Sequence, residues 1–343
     1  MTTLPSLARP SGLRFSNTVL IVGLAVLVVL LGVVSIAVGR VPLAFLQTVQ
    51  QVLTGERTTE ALILGEIRVP RAILAALVGA ALGGAGAAMQ GLLRNPLAEP
   101  GILGVSASAG LGAVVVLYFG LTQVFAFALP IGGMAGALVA VLLTFVLSGR
   151  DASILTLILA GVALNTFAAA LTSLALNLAP SPYAALEIVF WLLGSLADRS
   201  FDHVAIALPL MALGGALFIG TGRALNALSL GEDVARSLGI NLRLVRARLI
   251  LGTALAVGAA VSVSGTIGFV GLVVPHLLRP LVGHEPGRLL LPSALGGAAL
   301  VLAADIATRL IPVEPDLQLG VVTAIVGAPF FLYLLLHLRR TMR

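Results

Sequence analysis

The sequence predicts an all-α polytopic membrane protein of about ten transmembrane helices. Three observations carry that prediction. The 343 residues are 59% hydrophobic and only 10% charged, with a mean hydropathy of +1.12, far from the composition of soluble domains. Apolar runs recur at a length that matches a hydrocarbon core about 30 Å thick, which takes roughly 20 residues per helix. The arginines are distributed unevenly between alternate connections, as the excess of positive charge in cytoplasmic loops requires.

Taken in order, the first five runs are Val19 to Gly39, Val69 to Leu93, Gly101 to Phe119, Val124 to Leu147 and Ala152 to Leu176. The second five are His203 to Gly222, Leu242 to Thr266, Gly268 to Val282, Leu289 to Leu310 and Leu319 to Leu338. The eighth is short and carries Pro275 and Pro280. It is expected as a broken or partly re-entrant helix, which a membrane tolerates only where protein buries it. With the N-terminus inside, fourteen arginines from Arg9 to Arg343 fall on inner segments, and Arg40, Arg57, Arg68, Arg71, Arg199 and Arg309 fall on outer ends. An even number of spans with both termini in the cytoplasm follows. The pI of about 11.1 is then a topology signal and gives no reason to expect nucleic-acid binding. Residues 1–18 read as a cytoplasmic N-terminal segment and 19–343 as the transmembrane domain, with the first span retained rather than cleaved as a signal peptide.

Two outward connections exceed a turn. Val41 to Arg68 holds enough leucine and valine among its glutamines for an interfacial amphipathic helix. Ala179 to Asp202 contains Pro180, Pro182, Tyr183 and Trp191 around a middle too short to span, and reads as a short helix dipping in at the outer mouth of a pathway. A short similarity links GAALGGAG (Gly79 to Gly86) to GAAVSVSG (Gly258 to Gly265). The two lie in spans of opposite direction, as a weak inverted repeat would place them.

A polar segment, Ser229 to Asn241 (SLGEDVARSLGIN), separates two of these apolar runs. Ser229 and Glu232 have capping-box spacing. Glu232 and Asp233 suit the positive end of a helix dipole, Arg236 follows one turn on, and Gly239 is placed to end the helix in a left-handed conformation. Leu230, Val234 and Leu238 form one narrow apolar stripe. Such an element on a membrane protein is expected to be gripped by a partner.

Elimination narrows the machine. There is no lysine in the chain, so it holds no phosphate loop of the kind that needs one after its last glycine. There are no cysteines, which excludes disulfides, thiolate metal sites and cysteine catalysis. Glu99, Asp151 and Glu285 are scattered, giving little support to an enzyme. An ion-coupled secondary transporter or channel is the alternative, but Asp305 is the one acidic residue inside a span, four residues before Arg309, where the two can pair. His276 reads as packed or cavity-lining before it reads as a metal ligand. A translocation pathway driven by a separate ATPase is favoured.

Four stretches then carry a resemblance. RVPRAILAALVGAALGGAGAAMQGLLRNPLAEPGILGVSASAG (Arg68 to Gly110), GEDVARSLGI (Gly231 to Ile240), GFVGLVVPHLLR (Gly268 to Arg279) and LAADIATRL followed by LGVVTAIVGAPFFLYLL resemble the permease family of type II ABC importers for iron–siderophore, haem and vitamin B12 uptake. The resemblance covers nearly everything from Val19 on. It implies a bacterial inner-membrane homodimer with the pathway on its two-fold axis, two cytoplasmic ATPase subunits that bind ATP and Mg, and a periplasmic binding protein. It implies no cofactor on this chain. Ser229, Glu232, Asp233, Val234, Arg236, Leu238 and Gly239 would couple to the ATPase. Arg68, Arg71 and Arg309 would dock the binding protein, against the plainer reading in which Arg309 pairs with Asp305 and Arg68 with Glu66 or Glu60. Asn95 and Leu97 would narrow the cytoplasmic gate, or Asn95-Pro96 is simply a turn. Ala152 to Leu196 would supply the outer gate. The overall pattern is nearest to bacterial haem permeases, with a ferric siderophore or cobalamin as the other cargoes.

Overall fold

The computed structural model describes residues 16–148, 154–313 and 316–341. The segment before residue 16, Arg150, Asp151 and Arg343 lie outside the described residues. Fifteen α-helices are described, with no strand among the described residues: α1 Asn17–Ala37, α2 Phe45–Thr54, α3 Thr59–Leu62, α4 Val69–Leu92, α5 Val105–Tyr118, α6 Ala128–Ser148, α7 Ile154–Asn177, α8 Pro182–Leu192, α9 Phe201–Phe218, α10 Gly222–Ser229, α11 Glu232–Ser237, α12 Leu242–Ser264, α13 Val270–Leu278, α14 Pro286–Leu310 and α15 Leu319–Thr341. A π-helical turn, Ile63–Arg68, joins α3 to α4 without a break.

Each of the ten expected runs contains a helix, but they are not equals. Eight helices are long and apolar enough to cross a membrane among the described residues. The third and eighth runs instead give α5, of 14 residues, and α13, of 9 residues followed by a 3-10 turn at Arg279–Val282. At 1.5 Å per residue α13 rises only about 14 Å. Backbone that is not α-helical leads into both short helices, a 3-10 turn at Pro100–Leu103 before α5 and irregular chain around Gly265 to Ile267 before α13, and protein buries much of it. This is the condition under which irregular backbone survives at membrane depth.

The core is built on α4, whose sequence of alanines and glycines lets backbones meet. A Cβ at Gly79 would collide with the Gly297 carbonyl on α14, one at Gly83 with the Ser293 carbonyl, and one at Gly86 with the Gly271 carbonyl on α13. Small residues substitute here for a hydrophobic driving force, which lipid does not provide between helices. The continuous helix Thr59–Leu92 is accordingly 78% buried over its most apolar stretch, whereas α1, rich in valine and leucine, is 6% buried over its own and turns its large side chains outward. The similar stretches Gly79 to Gly86 and Gly258 to Gly265 both lie at close helix approaches, the second with Gly258 against Ala137. Their endings differ, because α4 runs on to Leu92 while α12 stops at Ser264.

Each of the two long connections contains the expected short helix. The first holds α2, capped by Gly55 at φ 77°, with Leu46 and Leu53 on its exposed side. The second holds α8, whose Ser181 side chain accepts the Ala184 N–H at 3.1 Å while Pro182 opens the first turn. The end of α8 is tied inward. Thr266 donates its hydroxyl to the Leu192 carbonyl, and the Gly320 N–H reaches the Leu193 carbonyl at 3.1 Å.

Candidate functional site

At one end of the bundle the segment after α9 folds back as a pair of short helices. α10 buries Ala224, Leu225, Ala227 and Leu228, and the Asn226 side chain accepts the Gly287 N–H at 2.7 Å, fixing α10 to the start of α14. The expected capping box does not form. Ser229 closes α10, donating its hydroxyl to the Asn226 carbonyl at 2.6 Å. Gly231, at φ 119°, occupies the N-cap of α11, and Glu232 is the first helical residue. The reason is the intervening reversal at Leu230–Gly231: a glycine at positive φ makes a tight turn that Ser229 cannot reach across.

Glu232 is held instead by arginines, Arg236 at 3.3 Å and Arg246 of α12 at 2.6 Å, while Arg236 also meets Asp233 at 3.1 Å. The far end of α11 follows the expectation. Gly239 sits at φ 78°, its N–H bonds to the Arg236 carbonyl at 2.9 Å, and the Ile240 N–H reaches back to Ala235 at 3.1 Å. These two bonds are the paired closure of a Schellman motif. Asn241 then caps α12 through the Leu244 N–H at 3.1 Å. Ala235 is buried, and Leu230, Val234 and Leu238 stand exposed. α11 thus presents Val234, with the exposed Leu230 and Leu238 standing at the turns on either side of it, while being locked at both ends.

The opposite end gathers the finish of α1, the beginning of α4 and the finish of α14. Asp305 is fully buried, with Arg71 at 2.8 Å and Arg309 at 2.8 Å. Arg309 also donates to the Ser35 and Val38 carbonyls at 2.7 and 2.8 Å and to the Ser35 hydroxyl at 2.7 Å. Arg68 does not meet Glu66 or Glu60 in the manner expected. It donates to the carbonyls of Ile36, Ala37 and Val41, the last few acceptors that α1 leaves unsatisfied at and beyond its end. The three arginines therefore clamp chain ends together, with the Arg71 side chain, 18% exposed, more open than that of Arg309, 7% exposed. Sequence spacing showed Arg309 beside Asp305. It had no means of showing Arg71, which is 234 residues away.

Between the short helices lies a polar cavity of about 510 Å³. The turn after α4 is real: Arg94 takes φ 50°, and the Asn95 side chain accepts the Leu97 N–H at 2.9 Å. Leu97 nevertheless lines the cavity, together with Glu99, Ser106, Asn165 and Thr266. Asn165 of α7 donates to the Gly101 carbonyl at 2.8 Å, and Glu99 accepts the Phe269 N–H at 2.9 Å at the start of α13. In the sequence Glu99 stands as an isolated acid, and only its position just before Pro100 marks it. His276 packs edge to face on Phe330, with ring centres 5.7 Å apart.

The FecCD transport family model matches residues 27–337 of this sequence. The chain belongs to the FecCD transport family. Among its relatives, the ABC transporter permease YvrB of Bacillus subtilis is 46% identical over 282 residues, covering 81% of this chain and 80% of the relative. The hemin transport system permease HmuU of Yersinia pestis is 37% identical over 321 residues, covering 92% and 95%. The cobalamin import permease BtuC of Halobacterium salinarum is 39% identical over 281 residues, covering 82% and 75%. A solved metal-chelate type ABC transporter in an inward-facing conformation superimposes with a TM-score of 0.81 at 31% identity, covering 93% of this chain and 99% of the other. This FecCD protein is thus a multi-pass, non-enzymatic permease subunit of an ABC importer, and the family implies an ATPase partner.

Proposed function

We propose that two copies of this chain enclose a pathway for an iron chelate across a bacterial inner membrane, with haem as the first cargo, a ferric siderophore next and cobalamin after it. The α10–α11 end faces the cytoplasm along with both termini. There the exposed Leu230, Val234 and Leu238 seat in a groove of each ATPase subunit, which binds ATP and Mg, while the permease itself carries no cofactor. The observation that carries this reading is the construction of α11. A helix closed by a Schellman turn and tied to α12 through Glu232 and Arg246 loses little freedom on docking and can pass on a rigid-body push.

Support for haem comes from the hemin permease relative, which aligns over more of both chains than the cobalamin permease does. A periplasmic binding protein docks at the Arg71 end. Arg68 and Arg309 there act by holding the ends of α1, α4 and α14 as a firm surface, and Arg71 is the arginine best placed to meet a partner's carboxylate. Asn95 shapes the cytoplasmic gate through its turn, and Leu97 narrows it from the cavity wall.

Reconstitution in liposomes tests the reading. With the ATPase and the binding protein present, haem accumulation is expected to require ATP and to stop when the ATPase is left out. Uptake that proceeds at the same rate without ATP overturns the importer assignment, and ATP-dependent uptake of cobalamin but not haem overturns the cargo.

A further inference from the structure

A cleft of about 1020 Å³ opens among α1, α4, α9 and α14 at the α10 end of the bundle, at the upper end of the volume usual for small-molecule sites. Its wall is apolar for several helical turns, with Leu77, Leu208, Met211, Phe218 and Leu291 lining it and Ala80, Gly84 and Gly215 leaving it open. The polar liners gather where helices begin: Asn17 in the first turn of α1, Arg223 in that of α10 and Arg288 in that of α14. α1 packs chiefly on α14 and leaves the space toward α9 unfilled by the described residues.

The chemistry of the two regions differs, and one molecule must satisfy both. Arg223 is exposed and has no ion-pair partner among the described residues. Arg288 shares an exposed pair with Glu285 at 3.0 Å, the acid that faces this rim, and such a pair holds an arginine only weakly. Two guanidiniums beside an apolar slot fit a phosphate carried on a hydrocarbon chain. The Asn17 side-chain oxygen is buried without a donor among the described residues, so the headgroup should also offer a hydroxyl.

We propose that this cleft binds one anionic phospholipid with a glycerol headgroup, of phosphatidylglycerol type, drawn from the leaflet around the α10 end. Its phosphate lies against Arg223 and Arg288, a headgroup hydroxyl donates to Asn17, and an acyl chain fills the slot between α1 and α9. The lipid completes the packing of α1, a helix that the protein itself barely covers.

Native mass spectrometry of the purified full-length chain in detergent tests this with added phosphatidylglycerol, phosphatidylcholine or inorganic phosphate. One phosphatidylglycerol per chain is expected to be retained at a collision energy that strips phosphatidylcholine. Arg223→Ala with Arg288→Ala is expected to weaken that retention on the order of tenfold. Gly215→Leu offers a second route to the same answer, because a Cβ at Gly215 meets nothing within 4 Å and the larger side chain projects into the acyl space. That variant should lose the lipid while remaining folded, and added phosphatidylglycerol should raise the melting temperature of the wild type but not of the variant. Equal retention of phosphatidylcholine, complete displacement by inorganic phosphate, or unchanged binding in both variants overturns the proposal.

Discussion

Each end of this permease holds one carboxylate between two arginines, and the two arrangements behave as opposites. Asp305 is fully buried, gripped by Arg71 from α4 and by Arg309 from its own helix. Glu232 is 23% exposed, gripped by Arg246 from α12 and by Arg236 from its own helix. The pattern of one local and one distant arginine is the same. What differs is water. The Asp305 carboxylate is closed off from solvent, so water cannot replace a partner it loses, and removing it leaves two arginines without their anion. Around Glu232 solvent can replace a lost partner, so the pairings set orientation more than stability.

The largest effect expected from this contrast is at Asp305. Asp305→Ala leaves Arg71 and Arg309 without their shared anion and should destabilise the permease by about 3–5 kcal/mol, read as a drop in thermal unfolding temperature in detergent. A wild-type melting temperature would mean that the buried site does not hold the helix ends together. Glu232→Ala should change stability by about 1 kcal/mol or less, yet lower the amount of cargo moved per ATP hydrolysed, because α11 is freed from α12 while the exposed apolar side chains remain. Stability loss as large as that of Asp305→Ala would erase the distinction between the two ends. The smallest effect belongs to Arg236→Ala, about 0.5 kcal/mol or less, and it should vanish at high salt. Amide exchange across residues 232–237 measures it, and a salt-insensitive loss of protection would place Arg236 with the buried class.

The contrast also sorts what could be read from the sequence. Spans, the amphipathic connections and the Gly239 closure are local, set by periodicity and by single residues with a conformational preference, and the structure follows them. Leu230, Val234 and Leu238 are exposed as their apolar pattern suggests, but the Gly231 reversal puts Leu230 at the end of α10, so the three do not form a stripe on one helix. The N-cap was misplaced because Gly222 to Ser229 forms a separate helix, and the glycine turn that divides it from α11 competes with a Ser-x-x-Glu pattern which is equally good on paper. Arg71 with Asp305, Arg68 with the end of α1, and Glu99 with Phe269 are contacts between residues far apart in the chain, and no spacing rule reaches them. The shortness of the third helix is hidden for a further reason: Gly101 to Leu103 is apolar enough to join the run that ends at Phe119, while Pro100 and Gly104 keep that stretch in a 3-10 turn apart from α5.

The Asn226–Gly287 hydrogen bond ties α10 to the first turn of α14, and Asp305 lies eighteen residues farther along that same helix, about 27 Å away. Along this length Gly79 and Gly83 set the α4 backbone directly against α14, so at these two points no flexible side chain separates the helices to absorb a displacement. The pair therefore has the properties of a splinted strut. Force applied at the α10 end meets stiff, short-range repulsion at each glycine contact, so the two ends of the bundle share one mechanical element whose compliance is set at these points by residues that have no side chain at all.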